Sequence, residues 1–186
     1  MKTGRRKFEN GFSLVELAIV VAIILLIVSL ALPSAISSLR AYRASADARS
    51  IAAQLALTKM RAANAFTQAR LNCDTTANTC RVETCTTKSA STCTTFNAEG
   101  ETINLSTGSS FSFGSISTPA GSQTSIQNTA QIVFNSRSIP VDSTGAATGN
   151  YALYVTNSSG NQYAITVYAS GRVAVWRYGS SAWNAQ

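Results

Sequence analysis

Between Phe12 and Leu32 the chain places one carboxylate, Glu16, in a run of 21 residues that is otherwise uncharged and almost wholly apolar. About 20 residues of helix, at a rise near 1.5 Å each, cross a bilayer core. The run is therefore long enough to span one. A charged side chain at that depth costs about 2.5–3.5 kcal/mol even on insertion scales, so an ionisable group there is expected to have a function. Lys2, Arg5, Arg6 and Lys7 precede the run. A secretory signal peptide would share that basic start, but its apolar core covers only about 7–15 residues. Here Leu17–Leu32 supplies 16, and no small-residue cleavage site stands cleanly before a folded domain. A plain single-span anchor accounts for the length and leaves Glu16 unexplained.

The order basic leader, Gly11, Phe12, Ser13, Leu14, Val15, Glu16, Leu17, apolar run and then Pro33 resembles the class III signal of type IV pilins and of type II secretion pseudopilins. The resemblance implies a membrane peptidase that cuts after Gly11 and methylates the new N-terminus at Phe12. It also implies that Glu16, the fifth residue after the cut, meets the N-terminal amine of a neighbouring subunit and sets the register of assembly, and that Pro33 bends the anchor. The physics is compatible. Glycine lets backbone enter a narrow cutting site. The basic leader keeps its end cytoplasmic. Two opposite charges that meet in lipid shield each other. The implied partners are the prepilin peptidase/methyltransferase, other pilins or pseudopilins in a filament, and the bacterial inner membrane. The head would lie in the periplasm.

The domains expected are a leader at 1–11, an anchor half-helix at 12–33, an amphipathic half-helix at 34–70 and a β-rich head at 71–186. A continuous helix from 12 to about 70 would be about 88 Å long. Its second half repeats apolar residues at helical spacing: Ala48, Ile51, Ala52, Leu55, Ala62, Ala63 and Phe66. Arg43, Asp47, Gln54, Arg61 and Gln68 fall largely elsewhere. From Glu101 the period changes. Thr102–Ser106, Ser110–Ile116, Gln131–Asn135, Tyr151–Thr156, Gln162–Ala169 and Arg172–Tyr178 read as strands. Tight hairpins are expected at Ser158–Asn161 and at Ser170-Gly171. Tyr163, Ile165 and Val167 should face inward together. The predicted fold class is α+β, a long helix laid on an antiparallel sheet.

Cys73, Cys80, Cys85 and Cys93 fall within 21 residues, separated by six, four and seven others. An even count in a segment placed outside the cytoplasm favours disulfides, with three connectivities open. No C-x2-C pair supports zinc, and no C-x-x-C supports a redox enzyme. The polar stretch 72–80 has too little apolar content for a core, so 73–93 reads as a crosslinked surface loop, an insertion. The whole chain has 186 residues and a net charge of +7, of which the leader to Asn10 supplies +4 and −1. It has no histidine. That removes the usual general base and any Ser-His triad. The acids beyond the helix, Asp74, Glu83, Glu99, Glu101 and Asp142, assemble no catalytic set. An enzyme, a metal and a cofactor are all unexpected.

The C-terminal half resembles the GspH/FimT branch of pseudopilins and minor pilins through Ile132-Val133-Phe134-Asn135-Ser136-Arg137, Tyr163-Ala164-Ile165-Thr166-Val167 and Ser170-Gly171-Arg172-Val173. The branch implies a subunit at or near the tip of a secretion pseudopilus or of a type IV pilus. Some of its members bind DNA for uptake through C-terminal arginines. Here the candidate DNA contacts are Arg172 and Arg177, with Trp176 for stacking and Tyr178 and Trp183 nearby. The second arginine of the branch pattern is replaced by Ala174. In a regular strand Arg172 and Arg177 would face opposite ways. The alternative for this segment is an edge strand protected by charge.

Overall fold

The computed structural model describes residues 12–87 and 93–186. One helix, α1, runs Leu14–Asn64, followed by ten strands: β1 Ala69–Asp74, β2 Thr79–Cys85, β3 Phe96–Asn104, β4 Ser109–Ser110, β5 Gln131–Phe134, β6 Pro140–Val141, β7 Tyr151–Asn157, β8 Gln162–Val167, β9 Val173–Gly179 and β10 Ala182–Ala185. Two compact units divide the chain, to Ser38 and from Leu39. In the first, the described residues are exposed throughout.

The second unit is the head, and the expected helix-on-antiparallel-sheet architecture is what it has. Ala44, Ala48, Ile51, Leu55, Thr58 and Ala62 make the buried stripe of α1, spaced by three or four as a one-sided helix requires. The helix ends earlier than the periodicity suggests. Phe66 takes the left-handed conformation (φ 52°); its N–H bonds to Ala63 O at 3.3 Å, and Thr67 N–H to Ala62 O at 3.2 Å. These are the two bonds of a Schellman cap, with Phe66 in the place glycine usually holds. Phe66 is consequently 81% exposed rather than part of the core stripe. Arg70 lies in β1 and Gln68 just before it, both beyond the helix. Asp47, expected on the polar side, is buried; its carboxylate accepts from the backbone N–H and the hydroxyl of Ser106, the latter at 2.8 Å.

The single sheet expected resolves into two, ordered β3-β2-β1-β5-β6 and β10-β9-β8-β7-β4. One core takes in the helix stripe, Ala69, Leu71, Cys73, Cys80, Val82, Ile132 and Phe134 of the first sheet, and Leu153, Val155, Tyr163, Ile165 and Val167 of the second. The hairpins at 158–161 and 170–171 form as expected, joining β7 to β8 and β8 to β9. Tyr163, Ile165 and Val167 do share the inward face. Ala164 and Thr166, on the other face, are buried as well. The reason is the segment 111–130. Of the strand expected at 110–116 only Ser110 pairs, as the second residue of β4. The remainder crosses the outer face of the second sheet as a strap, burying Ala120 with Tyr154, Ala152 and Ala164 against Trp176 and Trp183.

Over 73–85 the cysteine segment is a buried hairpin rather than a surface loop, while residues 88–92 lie outside the described residues. β1 and β2 form a hairpin in which Cys73 faces Cys80, and the two are disulfide-bonded with Cα atoms 4.0 Å apart. Both residues are 2% exposed. The alternation Ala69, Leu71, Cys73 against Cys80, Val82 supplies an apolar face that the surrounding Thr and Asn obscure. The turn is held by Asp74, whose Oδ1 accepts from Thr76 N–H and Ala77 N–H at 2.8 and 2.9 Å, and by Asn78 at φ 56°. A second disulfide joins Cys85 to Cys93, with Cα atoms 6.0 Å apart.

Candidate assembly site

In the first unit, α1 presents a largely apolar surface. Val15, Leu17, Ile19, Val20, Val21, Ile23, Ile24, Leu25, Leu26 and Ile27 are all large and exposed. Ser13 opens the helix: its Oγ accepts from Val15 N–H at 3.3 Å, and its carbonyl accepts from Leu17 N–H at 3.1 Å. The negative side chain of Glu16 lies in the first turn, where it complements the positive end of the helix dipole. Ser29 Oγ donates to Leu26 O at 2.8 Å, and Ser37 and Ser38 donate to Ser34 O. These hydroxyls are satisfied within the helix and need no water. The Glu16 carboxylate has no hydrogen-bond or ion-pair partner among the described residues beyond that dipole. Pro33 sits inside α1, where it removes the donor to the Ser29 carbonyl. Phe12 is 80% exposed just ahead of the helix. Gly11 and the basic leader lie outside the described residues.

In the head, the outer face of the first sheet carries a charge staple that sequence reading passed over. Glu83 is 2% exposed. Arg70 Nε donates to its Oε2 at 2.6 Å, Arg81 Nε to its Oε1 at 2.6 Å, and Asn72 Nδ2 to its Oε1 at 3.1 Å. Arg70 also donates to Gln131 Oε1 and lies 4.0 Å over the Phe96 ring. These contacts tie β1, β2, β3 and β5 together. Burial pushes the Glu83 carboxyl up, but the Asn72 and Arg70 hydrogen bonds, the Arg70 charge and the Arg81 bond outweigh it, and the group is held below 4.5. A depressed carboxyl contributes stability that is complete above its unfolded value and is lost as pH falls through the lower folded value. The denaturation midpoint of the wild-type head should therefore exceed that of Glu83→Gln at neutral pH and approach it below pH 4.5. A gap that persists unchanged to the acid end of the titration would show that the carboxylate is not the stabilising form.

The C-terminal candidates are not gathered into one surface. Trp176 Nε1 donates to Thr166 Oγ1 at 2.9 Å, and Trp183 Nε1 donates to Thr118 O at 2.8 Å. Tyr178 packs on Trp183 with centroids 5.0 Å apart. The aromatic rings are thus engaged with the strap and with one another. Arg172 precedes β9 and lies over Tyr168 at 5.3 Å. Arg177 is exposed on β9, in register with Tyr163 and Asn184. β9 itself is not an edge: β8 and β10 flank it.

Residues 6–32 match the family described as the prokaryotic N-terminal methylation motif. The match takes in the end of the basic leader and most of the apolar run, and the helix there is long and apolar enough to cross a membrane. A search of curated proteins finds no match. Among solved structures, the chain is similar to two of the minor pseudopilin EpsH from the type 2 secretion system of Vibrio cholerae. One is 14% identical with a TM-score of 0.49, covering 74% of this chain and 99% of the other. The second is 14% identical with a TM-score of 0.48, covering 75% and 97%.

Proposed function

We propose that this chain is a non-enzymatic minor pilin or pseudopilin, cut between Gly11 and Phe12, N-methylated at Phe12, and assembled at or near the tip of a type II secretion pseudopilus or a type IV pilus. The observation that carries the reading is the methylation motif at 6–32 with Glu16 set in an otherwise uncharged apolar run, 12–32. Cutting exposes an amine four residues before Glu16 in sequence. The amine of one subunit then neutralises the carboxylate of another, and the apolar faces supply the packing. This requires the head outside the cytoplasm, which is also where its two disulfides form and persist. DNA capture through Arg172, Arg177 and Trp176 gains no support from the head, because the Trp176 indole is tied to Thr166. Intact mass spectrometry of protein from a host with the peptidase tests the proposal. A methylated N-terminus at Phe12 is expected; a chain still beginning at Met1 would refute it.

A further inference from the structure

The charges that flank the apolar run are not distributed as membrane insertion favours. Cations within about 15–20 residues of a span are normally depleted on the side that crosses the membrane. On the assembly reading above that is the head side, yet Arg40, Arg43 and Arg49 follow Leu32 there. The leader cations Lys2, Arg5, Arg6 and Lys7 outnumber them, but all precede Gly11 and on that reading leave with the leader. The cut chain then keeps its nearby cationic side chains on the head side alone. Arg40 and Arg43 are exposed, and neither has an ion-pair partner among the described residues. Asp47, one turn beyond Arg43, is the natural partner. Its carboxylate is instead committed to the Ser106 N–H and hydroxyl.

Height along α1 says what could answer these arginines. Residues 33–39 carry no charge. The hydroxyls of Ser37 and Ser38 are satisfied by Ser34 O, and Ile36 and Leu39 are exposed apolar side chains. Such a stretch suits the interfacial zone, which extends about 5–7 Å beyond the hydrocarbon on each side. With Leu32 at the hydrocarbon edge, the Arg40 Cα stands about 12 Å further along the helix and the Arg43 Cα about 16 Å. Long helical side chains lean back toward the helix N-terminus, here toward lipid. A lean of about 6 Å brings the Arg40 guanidinium to phosphate level and leaves that of Arg43 about 4 Å above it, inside the Debye length. The two directions differ by only about 60° around the helix. Tyr42, between them in sequence, is 73% exposed, and its amphipathic ring suits headgroup level. Arg49 lies too far along to reach. We propose that Arg40 and Arg43 bind the phosphates of anionic phospholipids in the leaflet on the head side, with Tyr42 seated among the headgroups. A guanidinium fork matches a phosphate bidentately. The leader orients the chain only until it is cut; the arginine pair holds the depth of the anchor afterwards. This rests on the membrane-anchored reading above and adds to it a lipid ligand.

The test is fluorescence quenching in vesicles of phosphatidylcholine and phosphatidylglycerol containing the full-length chain. A fluorophore is attached at Ser38→Cys, an exposed position; no native cysteine is free among the described residues. A nitroxide at the headgroup end of an acyl chain is placed on one lipid or the other. Quenching should be stronger when phosphatidylglycerol carries it. Arg40→Gln or Arg43→Gln should each lower that preference by up to about fivefold, and the double change should abolish it. Lys at both positions should keep it, which excludes misfolding as the cause. Arg137→Gln should leave it unchanged, since the adjoining Ser138 bonds the carbonyl of Lys59, about 24 Å beyond Arg43 along the helix. A Leu25→Cys fluorophore, read with a nitroxide deep in either lipid, reports the anchor separately. Equal quenching by the two lipids, or a preference indifferent to the Gln changes, overturns this inference while a quenched Leu25→Cys reporter leaves the anchor standing. A preference that inorganic phosphate removes, and chloride of equal ionic strength does not, marks a free-anion site and also overturns it. An unquenched Leu25→Cys reporter refutes the anchor and the inference with it.

Discussion

A Glu16→Ala chain is expected to insert and to be cut and methylated normally, yet to be lost from the filament fraction by at least about tenfold. Insertion should if anything improve, because the substitution removes a group that costs about 2.5–3.5 kcal/mol at bilayer depth. On the proposed reading, cutting depends on the leader and Gly11, which the change does not touch, and what disappears is the carboxylate that would answer the amine exposed at Phe12. An unpaired positive terminus then enters lipid at a similar cost, and a few kcal/mol corresponds to tenfold or more in occupancy. Glu16→Gln should fail almost as badly, since it keeps the shape and drops the charge. Quantifying each variant in membrane and sheared-filament fractions checks this. Normal filament incorporation of Glu16→Ala would show that packing of the apolar helix suffices.

The largest effect on the head should come from Cys73→Ala with Cys80→Ala. The disulfide closes a loop of sequence separation 7, and chain-entropy reasoning assigns it about 2.5 kcal/mol. The two sulfurs are also buried among Leu71, Val82 and Ile103 in the core, so their removal leaves space as well as freedom. For a head of this size the melting temperature should fall by about 5–10 °C. Cys85→Ala with Cys93→Ala opens a loop of nearly the same separation, 8. Cys93 is only partly buried, so that pair should cost less. Thermal unfolding of both variants under oxidising conditions provides the comparison; equal losses would show that burial of the sulfurs adds nothing.

Much of this arrangement is visible in the residues, and the exceptions have physical causes. The anchor is legible because a bilayer demands length, apolarity and an accounting for every charge. The two C-terminal hairpins are legible because Ser158–Asn161 and Ser170-Gly171 carry turn chemistry between alternating strands. The end of α1 is not, since Phe66 continues the apolar spacing while its backbone has already turned left-handed. No glycine marks the stop. The first hairpin hides for a different reason: cysteine counts as apolar once bonded and buried, and its Thr and Asn neighbours belong to the other face. The strap over Tyr154 and Trp176 has no period at all. Its Ser- and Thr-rich composition resembles an exposed loop, and the hydrogen bond from Ala120 N–H to the Tyr154 hydroxyl is what places it. Glu83 was legible only as one acid among several. The arginines that surround it come from β1 and from its own strand, and their convergence exists only once the register is set.

The order of strands in the first sheet also carries a message about time. β2 reaches β1 across a four-residue turn, but β5 joins β1 only after the chain has travelled from Asp74 to Gln131. Local pairings close quickly and distant ones wait on loop entropy. As the polypeptide emerges, the helix end and the crosslinked hairpin can settle early and stand as a half-built platform. The other half of that sheet must find them about 45 residues after β2 ends, when the cystine can already hold the receiving hairpin together.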